Sequence, residues 1–267
     1  MRQLKQRYGD WALVTGGTSG IGAALAAELA KEGLNLLLVA RSPQTLQAHA
    51  DKLRVQHDIQ VRTIAADLSS EAGLAHVLQA AADVPVSMLL PCAAMETQGV
   101  FVESDPAQQR AMVQMNVIAP MVLARHFGQG MARRGQGAIL FVSSLSGWMP
   151  QPWMAGYGAS KSYINGLAAG MHFEMKGTGV DVSVLSPGPT DTPMAKATGI
   201  DFKAMGMTVM DPKDVAACAL DALGRRLDAI PGGKNRIMAF MMSRLMSRAT
   251  AGAMFRKMMG KALGKLA

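Results

Sequence analysis

The chain has 267 residues, 49% hydrophobic and 17% charged, with a net charge of +8. That balance excludes a disordered chain and supports one sizeable buried core. Cys92 and Cys218 cannot build a disulfide framework and fit a reducing cytoplasm, and five scattered histidines offer no metal-ligand spacing.

The short basic segment from Met1 to Tyr8 leads into a predicted strand, Trp11–Thr15, that runs into a glycine loop. This is a first strand and not a signal peptide. Helix Ile21–Lys31, strand Asn35–Ala40, helix Pro43–Gln56, strand Gln60–Ala65, helix Glu71–Ala81 and strand Met88–Leu90 follow. The rhythm continues with helix Gln108–Arg133, strand Ala138–Val142, helix Tyr157–Lys176, strand Val180–Leu185 and helix Pro212–Leu223. Alternating strands and helices imply βαβ crossovers and a parallel sheet covered on both faces. The apolar runs Leu36–Val39 and Ile139–Val142 fit strands buried on both sides. No linker or repeat interrupts the pattern, so residues 1–267 read as one doubly wound α/β domain.

From about residue 236 the composition turns to Met, Arg, Lys and Ala, including Met241, Met242, Arg244, Arg248, Met254, Arg256, Lys261 and Lys265. This extension reads as basic amphipathic helices. Their expected role is an oligomer contact or a flap on the core. A membrane-surface contact and a substrate cover are the alternatives. No apolar run approaches the roughly 18 residues of a membrane span. No nucleic-acid recognition motif accompanies the positive charge, so no nucleic-acid partner is expected; the charge suits a polyanionic cofactor.

Gly16, Thr18, Ser19, Gly20, Ile21 and Gly22 lie between the first strand and first helix. Glycines there allow a tight turn and the close approach of a pyrophosphate, which the helix N-terminus then binds. The second strand ends in Arg41-Ser42, with no carboxylate to hold a ribose 2′-hydroxyl. A guanidinium at that point pairs with a 2′-phosphate, which selects NADP(H) over NAD(H). Asp67, with Leu68 beside it, follows the third strand and is expected at the adenine.

Tyr157 and Lys161 stand at i and i+4, on one face of a helix. A lysine ammonium beside a phenol is expected to lower its pKa, so that the pair donates or accepts a proton at neutral pH. Ser144 lies upstream at the carboxyl end of a strand, where a hydroxyl can hydrogen-bond a substrate oxygen; Ser143 is its rival.

These residues resemble the short-chain dehydrogenase/reductase family over roughly residues 8–235. The matching motifs are Thr15-Gly16-x-x-x-Gly20-Ile21-Gly22, Asp67-Leu68, Asn116, Ser144, Tyr157-x-x-x-Lys161 and Pro187-Gly188-Pro189-Thr190-Asp191-Thr192. The resemblance implies a Rossmann domain and a catalytic tetrad of Asn116, Ser144, Tyr157 and Lys161. Tyr157 would move the proton, Lys161 would bind the nicotinamide ribose, Ser144 would orient the carbonyl, and Asn116 would hold a water. It also implies nicotinamide contacts from Pro187, Gly188, Thr190 and Thr192, a cofactor contact from Ala93, and a homodimer or homotetramer built on the long helices.

One segment departs from the family, which usually carries Asn-Asn-Ala-Gly where this chain has Pro91-Cys92-Ala93-Ala94. Pro91 is expected to end its strand early, and Ala94 resists positive φ, which puts the edge of the cofactor pocket in question. Cys92 reads as a small buried residue.

Trp148, Met149, Trp153 and Met154 lead into the catalytic helix, and Phe202, Met205 and Met207 follow the nicotinamide loop as a mobile lid. Ser144, Trp148, Trp153 and Tyr157 are the expected substrate contacts, and the apolar wall suits a hydrophobic ketone or alcohol. The expected activity is thus an NADP(H)-dependent ketone–alcohol oxidoreductase. An NAD(H)-linked alcohol dehydrogenase of the same fold, and a non-catalytic dinucleotide-binding protein, are the alternatives.

Overall fold

The computed structural model describes residues 2–203 and 205–263. Its first half runs α1 (Leu4–Tyr8), β1 (Trp11–Thr15), α2 (Gly20–Lys31), β2 (Asn35–Ala40), α3 (Pro43–Gln56), β3 (Val61–Ala65), α4 (Glu71–Ala80) and β4 (Val86–Pro91). Next come α5 (Pro106–Val113), α6 (Ala119–Arg134), β5 (Gly137–Val142), α7 (Ala155–Glu174), β6 (Val180–Leu185) and α8 (Pro193–Ala197). The chain closes with α9 (Pro212–Ala222), β7 (Asp228–Ala229), α10 (Gly233–Phe240) and α11 (Arg248–Ala262).

The strands form one parallel sheet in the order β3-β2-β1-β4-β5-β6-β7. Strand order reverses between β1 and β4, and the carboxyl ends there open a crevice. The core lies on both faces. Leu25, Leu29, Leu36, Leu38 and Leu140 pack on one side, and Leu13, Leu37, Leu89, Leu123 and Phe141 on the other. The alternation follows from period two in strands that are apolar throughout.

The expected helix Gln108–Arg133 is instead α5 and α6 joined by one π-helical turn, Gln114–Ile118. Pro120 supplies a cause: it has no N–H to give the carbonyl four residues back, that of Asn116. Pro91 does not end β4 early. It is the last strand residue and sits opposite Thr15 of β1. At the N-terminus, α1 is anchored by the buried Tyr8, whose hydroxyl donates to Asp181 at 2.8 Å.

Beyond the carboxyl ends of the strands sits a third apolar cluster that includes Met112, Met149, Met154, Tyr157, Met242 and Phe255. The C-terminal helices α10 and α11 pack on it, so the extension is a flap on the core. Lys265 lies outside the described residues. Among the described residues no helix is long and apolar enough to cross a membrane.

Candidate active site

The crevice at the switch point is a cleft of about 600 Å³. One end is the glycine loop. Gly16 and Gly20 hold positive φ, at 64° and 53°, which side chains resist. A Cβ on Gly22 would overlap the Gly16 carbonyl oxygen, and one on Gly20 would stand 2.9 Å from Thr192 Cγ2. The loop is therefore a cradle that any side chain would fill. The first turn of α2, Gly20 to Gly22, faces the cleft with its backbone N–H groups unclaimed by a side-chain cap. Thr18, Ser19 and Ile21 complete this wall.

Arg41 and Ser42 line the cleft at the end of β2, beside Thr45. Among the described residues Arg41 makes no hydrogen bond or ion pair. Ser42 caps α3 by accepting from the Thr45 N–H at 3.3 Å. One oxygen of the Asp67 carboxylate, Oδ1, accepts from the Ser69 N–H at 3.0 Å and the Ser69 hydroxyl at 2.7 Å. Those two bonds hold its pKa below the ordinary value. Ala66 and Leu68, its neighbours, line the cleft; Asp67 does not.

The altered segment after β4 keeps its place. The Ala93 N–H donates to the Thr15 hydroxyl at 3.0 Å, which ties the segment to β1. Ala94 does not adopt positive φ; among the described residues only Gln3 and Trp153 do so without being glycine. The alanine thus carries no strain. Cys92 and Ala93 line the cleft, and burial pushes the Cys92 thiol up to about 12, which leaves it un-ionised and inert.

At the centre of the cleft stand Ser144, Tyr157 and Lys161. Tyr157 is 8% exposed and Lys161 4%. The Lys161 ammonium donates to the Val142 carbonyl at 3.1 Å and lies 5.7 Å from the centre of the Tyr157 ring. Burial pulls its pKa down to about 8, against the attraction of Cys92 and Glu96. Tyr157 moves up from the ordinary tyrosine value through burial first and the Glu96 carboxylate second, while a hydrogen bond with Ser144 pulls it down. Burial thus sets the direction of the tyrosine shift, opposite to the one expected from the helical spacing. Ser143, the rival hydroxyl, donates to the Lys161 carbonyl at 2.9 Å and braces α7 instead.

Asn116 does not line the cleft. From the π-helical turn its carboxamide accepts from the Met95 N–H and donates to the Met95 carbonyl, both at 2.8 Å, and donates to Ser160 Oγ at 3.1 Å. It clamps the segment after β4 against the catalytic helix. Pro187, Gly188, Thr190 and Thr192 line the cleft, and Thr192 caps α8. Thr190 pairs with Met210 as an isolated bridge, where Asp191 N–H reaches the Met210 carbonyl at 2.9 Å and Met210 N–H the Pro189 carbonyl at 3.0 Å.

The two tryptophans expected against substrate do not line the cleft. Trp148 Nε1 donates to Ser186 Oγ at 3.0 Å, which turns the indole toward the end of β6. Trp153 holds φ 63° in a turn whose carbonyl accepts from Gly99 N–H at 2.8 Å. Methionines form the wall instead: Met149 and Met154 before α7, Met205 and Met207 after α8, and Met238, Met242 and Met258 from the C-terminal flap. Glu96, half-buried in this wall, went unnoticed in the sequence because a lone acid in a loop carries no pattern; burial raises its pKa.

The short chain dehydrogenase model matches residues 10–201. A 7beta-hydroxysteroid dehydrogenase from Clostridium sardiniense is 32% identical over 234 residues, 87% of this chain and 89% of that protein. A solved structure from work on 7beta-hydroxysteroid dehydrogenase stereoselectivity is 26% identical, with a TM-score of 0.89, covering 94% of this chain and 98% of that one. A short-chain dehydrogenase from Sphingobium yanoikuyae in complex with NADPH is 31% identical, with a TM-score of 0.79, covering 88% and 94%. With the family model matched over residues 10–201 and a relative 32% identical over 87% of its length, the chain belongs to the short-chain dehydrogenase family of nicotinamide-dependent oxidoreductases.

Proposed function

We propose that the chain is an NADP(H)-dependent oxidoreductase that interconverts a ketone and a secondary alcohol on a hydrophobic substrate. The observation that carries this reading is the continuity of one cleft. It joins the glycine cradle and the unpaired Arg41 to the buried Tyr157, and Tyr157 to a methionine wall.

The glycine cradle and the first turn of α2 fit a pyrophosphate, and the exposed Arg41 with Ser42 fits a ribose 2′-phosphate. Pro187, Gly188, Thr190 and Thr192, with Ala93 opposite, would hold the nicotinamide end. When bound, NADP(H) supplies or takes up the hydride. The chain handles the proton. Its raised pKa keeps Tyr157 a phenol at neutral pH, the form that gives a proton to a carbonyl oxygen. Ser144, hydrogen-bonded to Tyr157, is placed to hold that same oxygen. Lys161, with its pKa near 8, sits one helical turn away and can pass a proton toward Tyr157. Asn116 acts by position: its clamp on Met95 fixes the cleft edge, and Pro120 withholds the usual helical donor from its carbonyl, which suits a water there.

The methionine wall favours a bulky apolar substrate, since thioethers adapt to irregular apolar shapes and offer no strong hydrogen bond. The exposed Tyr163 and Phe173 on α7 favour a homo-oligomer through the long helices. The test is a spectrophotometric screen of NADPH and NADH against ketones of graded size. Tyr157→Phe is expected to abolish turnover while NADPH still binds. Near-normal rates in that variant, or NADH outperforming NADPH in the wild type, would overturn the reading.

A further inference from the structure

The C-terminal flap turns two faces to its surroundings. Its inner face closes the cleft with Met238, Met242, Met258 and Met259. Its outer face has no covering among the described residues. On α10 and the π-helical turn after it, Met241–Leu245, Ile237 is 63% exposed, Phe240 58%, Met241 46% and Leu245 69%. Positions 237, 241 and 245 recur at helical spacing, so they form one apolar stripe. Ile237 and Met241, together with Met254 of α11, border a shallow groove.

The charge carried by this segment is of one sign, although Arg244 also feels the half-buried Asp228 outside it. From Pro231 to Ala267 the chain carries eight lysines and arginines and no aspartate or glutamate. Lys234, Arg236, Arg244 and Arg248 are exposed beside the stripe. An apolar stripe edged only by cations has two candidate occupants. A second copy of the same face would bring like charges together across a two-fold contact, with no acid in the segment itself to offset them. An anionic lipid surface meets both features: headgroup phosphates for the cations, and acyl chains for the stripe.

We propose that the outer face of α10, with the π-helical turn that follows it, docks the protein on anionic phospholipid membranes. Ile237, Met241 and Leu245 enter the acyl boundary, and Lys234 and Arg244 meet the headgroups. Met238, Met242 and Met254 line both the outer groove and the inner cleft. The docked face therefore adjoins the route to Tyr157, and an apolar substrate dissolved in the bilayer reaches the cleft without crossing water. That consequence rests on the function proposed above; the docking itself does not.

Flotation of the full chain with vesicles tests the docking without any turnover. On vesicles of three parts phosphatidylcholine to one part phosphatidylglycerol the protein is expected to float. On phosphatidylcholine alone, or in high salt, binding falls at least ten-fold. Each lysine or arginine near such a surface adds about five-fold, so Lys234→Gln with Arg244→Gln should weaken binding by about that factor for each residue. Ile237→Glu with Leu245→Glu should remove it. All four side chains are exposed, so circular dichroism should show both variants folded, and NADPH oxidation with a water-soluble ketone should match the wild type. Failure of the wild type to float with anionic vesicles overturns the proposal, as does flotation of the Ile237→Glu, Leu245→Glu variant. Sedimentation velocity addresses the rival: a wild-type assembly that this variant dissolves assigns the face to a second copy and sinks membrane docking.

Discussion

Replacing Lys161 by methionine should stabilise the protein while ending its chemistry. Lys161 is 4% exposed, and its ammonium donates to the Val142 carbonyl at 3.1 Å. Burial lowers its pKa from 10.5 to about 8. Below pH 8 that gap costs the folded state about 3 kcal/mol. Methionine matches the aliphatic stem, and losing the bond to Val142 gives back about 1 kcal/mol. A net gain of about 2 kcal/mol raises Tm by roughly 4–8 °C in a chain of this size. The pH dependence has a definite sign. The folded pKa lies below the unfolded one, so between them the unfolded chain binds more protons and wild-type stability climbs with pH. The variant lacks that climb, so its advantage shrinks from pH 8 toward 10.5. Thermal unfolding by circular dichroism, without added nucleotide, from pH 7 to 10 measures both effects. A lower Tm for Lys161→Met at pH 7, or an advantage that stays constant to pH 10, refutes the reasoning.

Three further outcomes follow from the site. Arg41→Ser should raise KM for NADPH about 10–100-fold, the worth of charge-assisted bonds to a phosphate, and leave KM for NADH unchanged; an unaltered NADPH preference would remove Arg41 from cofactor selection. Gly22→Ala places a Cβ on the Gly16 carbonyl oxygen, a backbone atom that cannot swing aside. Fluorescence titration should then show at least a ten-fold loss of NADPH affinity (about 1.4 kcal/mol), and wild-type affinity would mean the cradle is not the phosphate site. Glu96→Gln removes a charge that raises the Tyr157 pKa. The rising limb of the pH profile for alcohol oxidation should move to lower pH in that variant, and an unmoved limb would show that Glu96 and Tyr157 are uncoupled.

The central strands were legible because β1 and β2 are nearly continuous apolar runs and β6 alternates valine with Asp181 and Ser183, so all three stand at the limits their composition suggests. The site centre was legible because the glycine loop, Ser144 and the Tyr157–Lys161 pair lie at strand ends or on one helix face. What stayed hidden depends on competition between neighbours. Asp67 reads as a distant contact from the sequence, while the bonds to Ser69, two residues away, are a local turn that no pattern announces. Trp148 looked like a substrate wall until Ser186, remote in sequence, offered its indole a hydrogen bond. The strand β7 is two residues long and carries no period. The π-helical turn at Asn116 leaves no apolar signature, although Pro120 marks the broken ladder. For the C-terminal helices, composition told of amphipathic character but not which face the core would take.

The bridge between Thr190 and Met210 separates two jobs that share one stretch of chain. Upstream of it, the Pro187 carbonyl accepts from the Leu145 N–H at 3.0 Å, just past the end of β6. Downstream, the residues between the two anchors form a closed excursion with a fixed base, and Met205 and Met207 reach the cleft from it. Lengthening such an excursion costs only about 0.6 kcal/mol per doubling. Insertion or exchange beyond α8, which ends at Ala197, therefore leaves Thr192 and the glycine cradle in place, and that part of the excursion is a replaceable cassette.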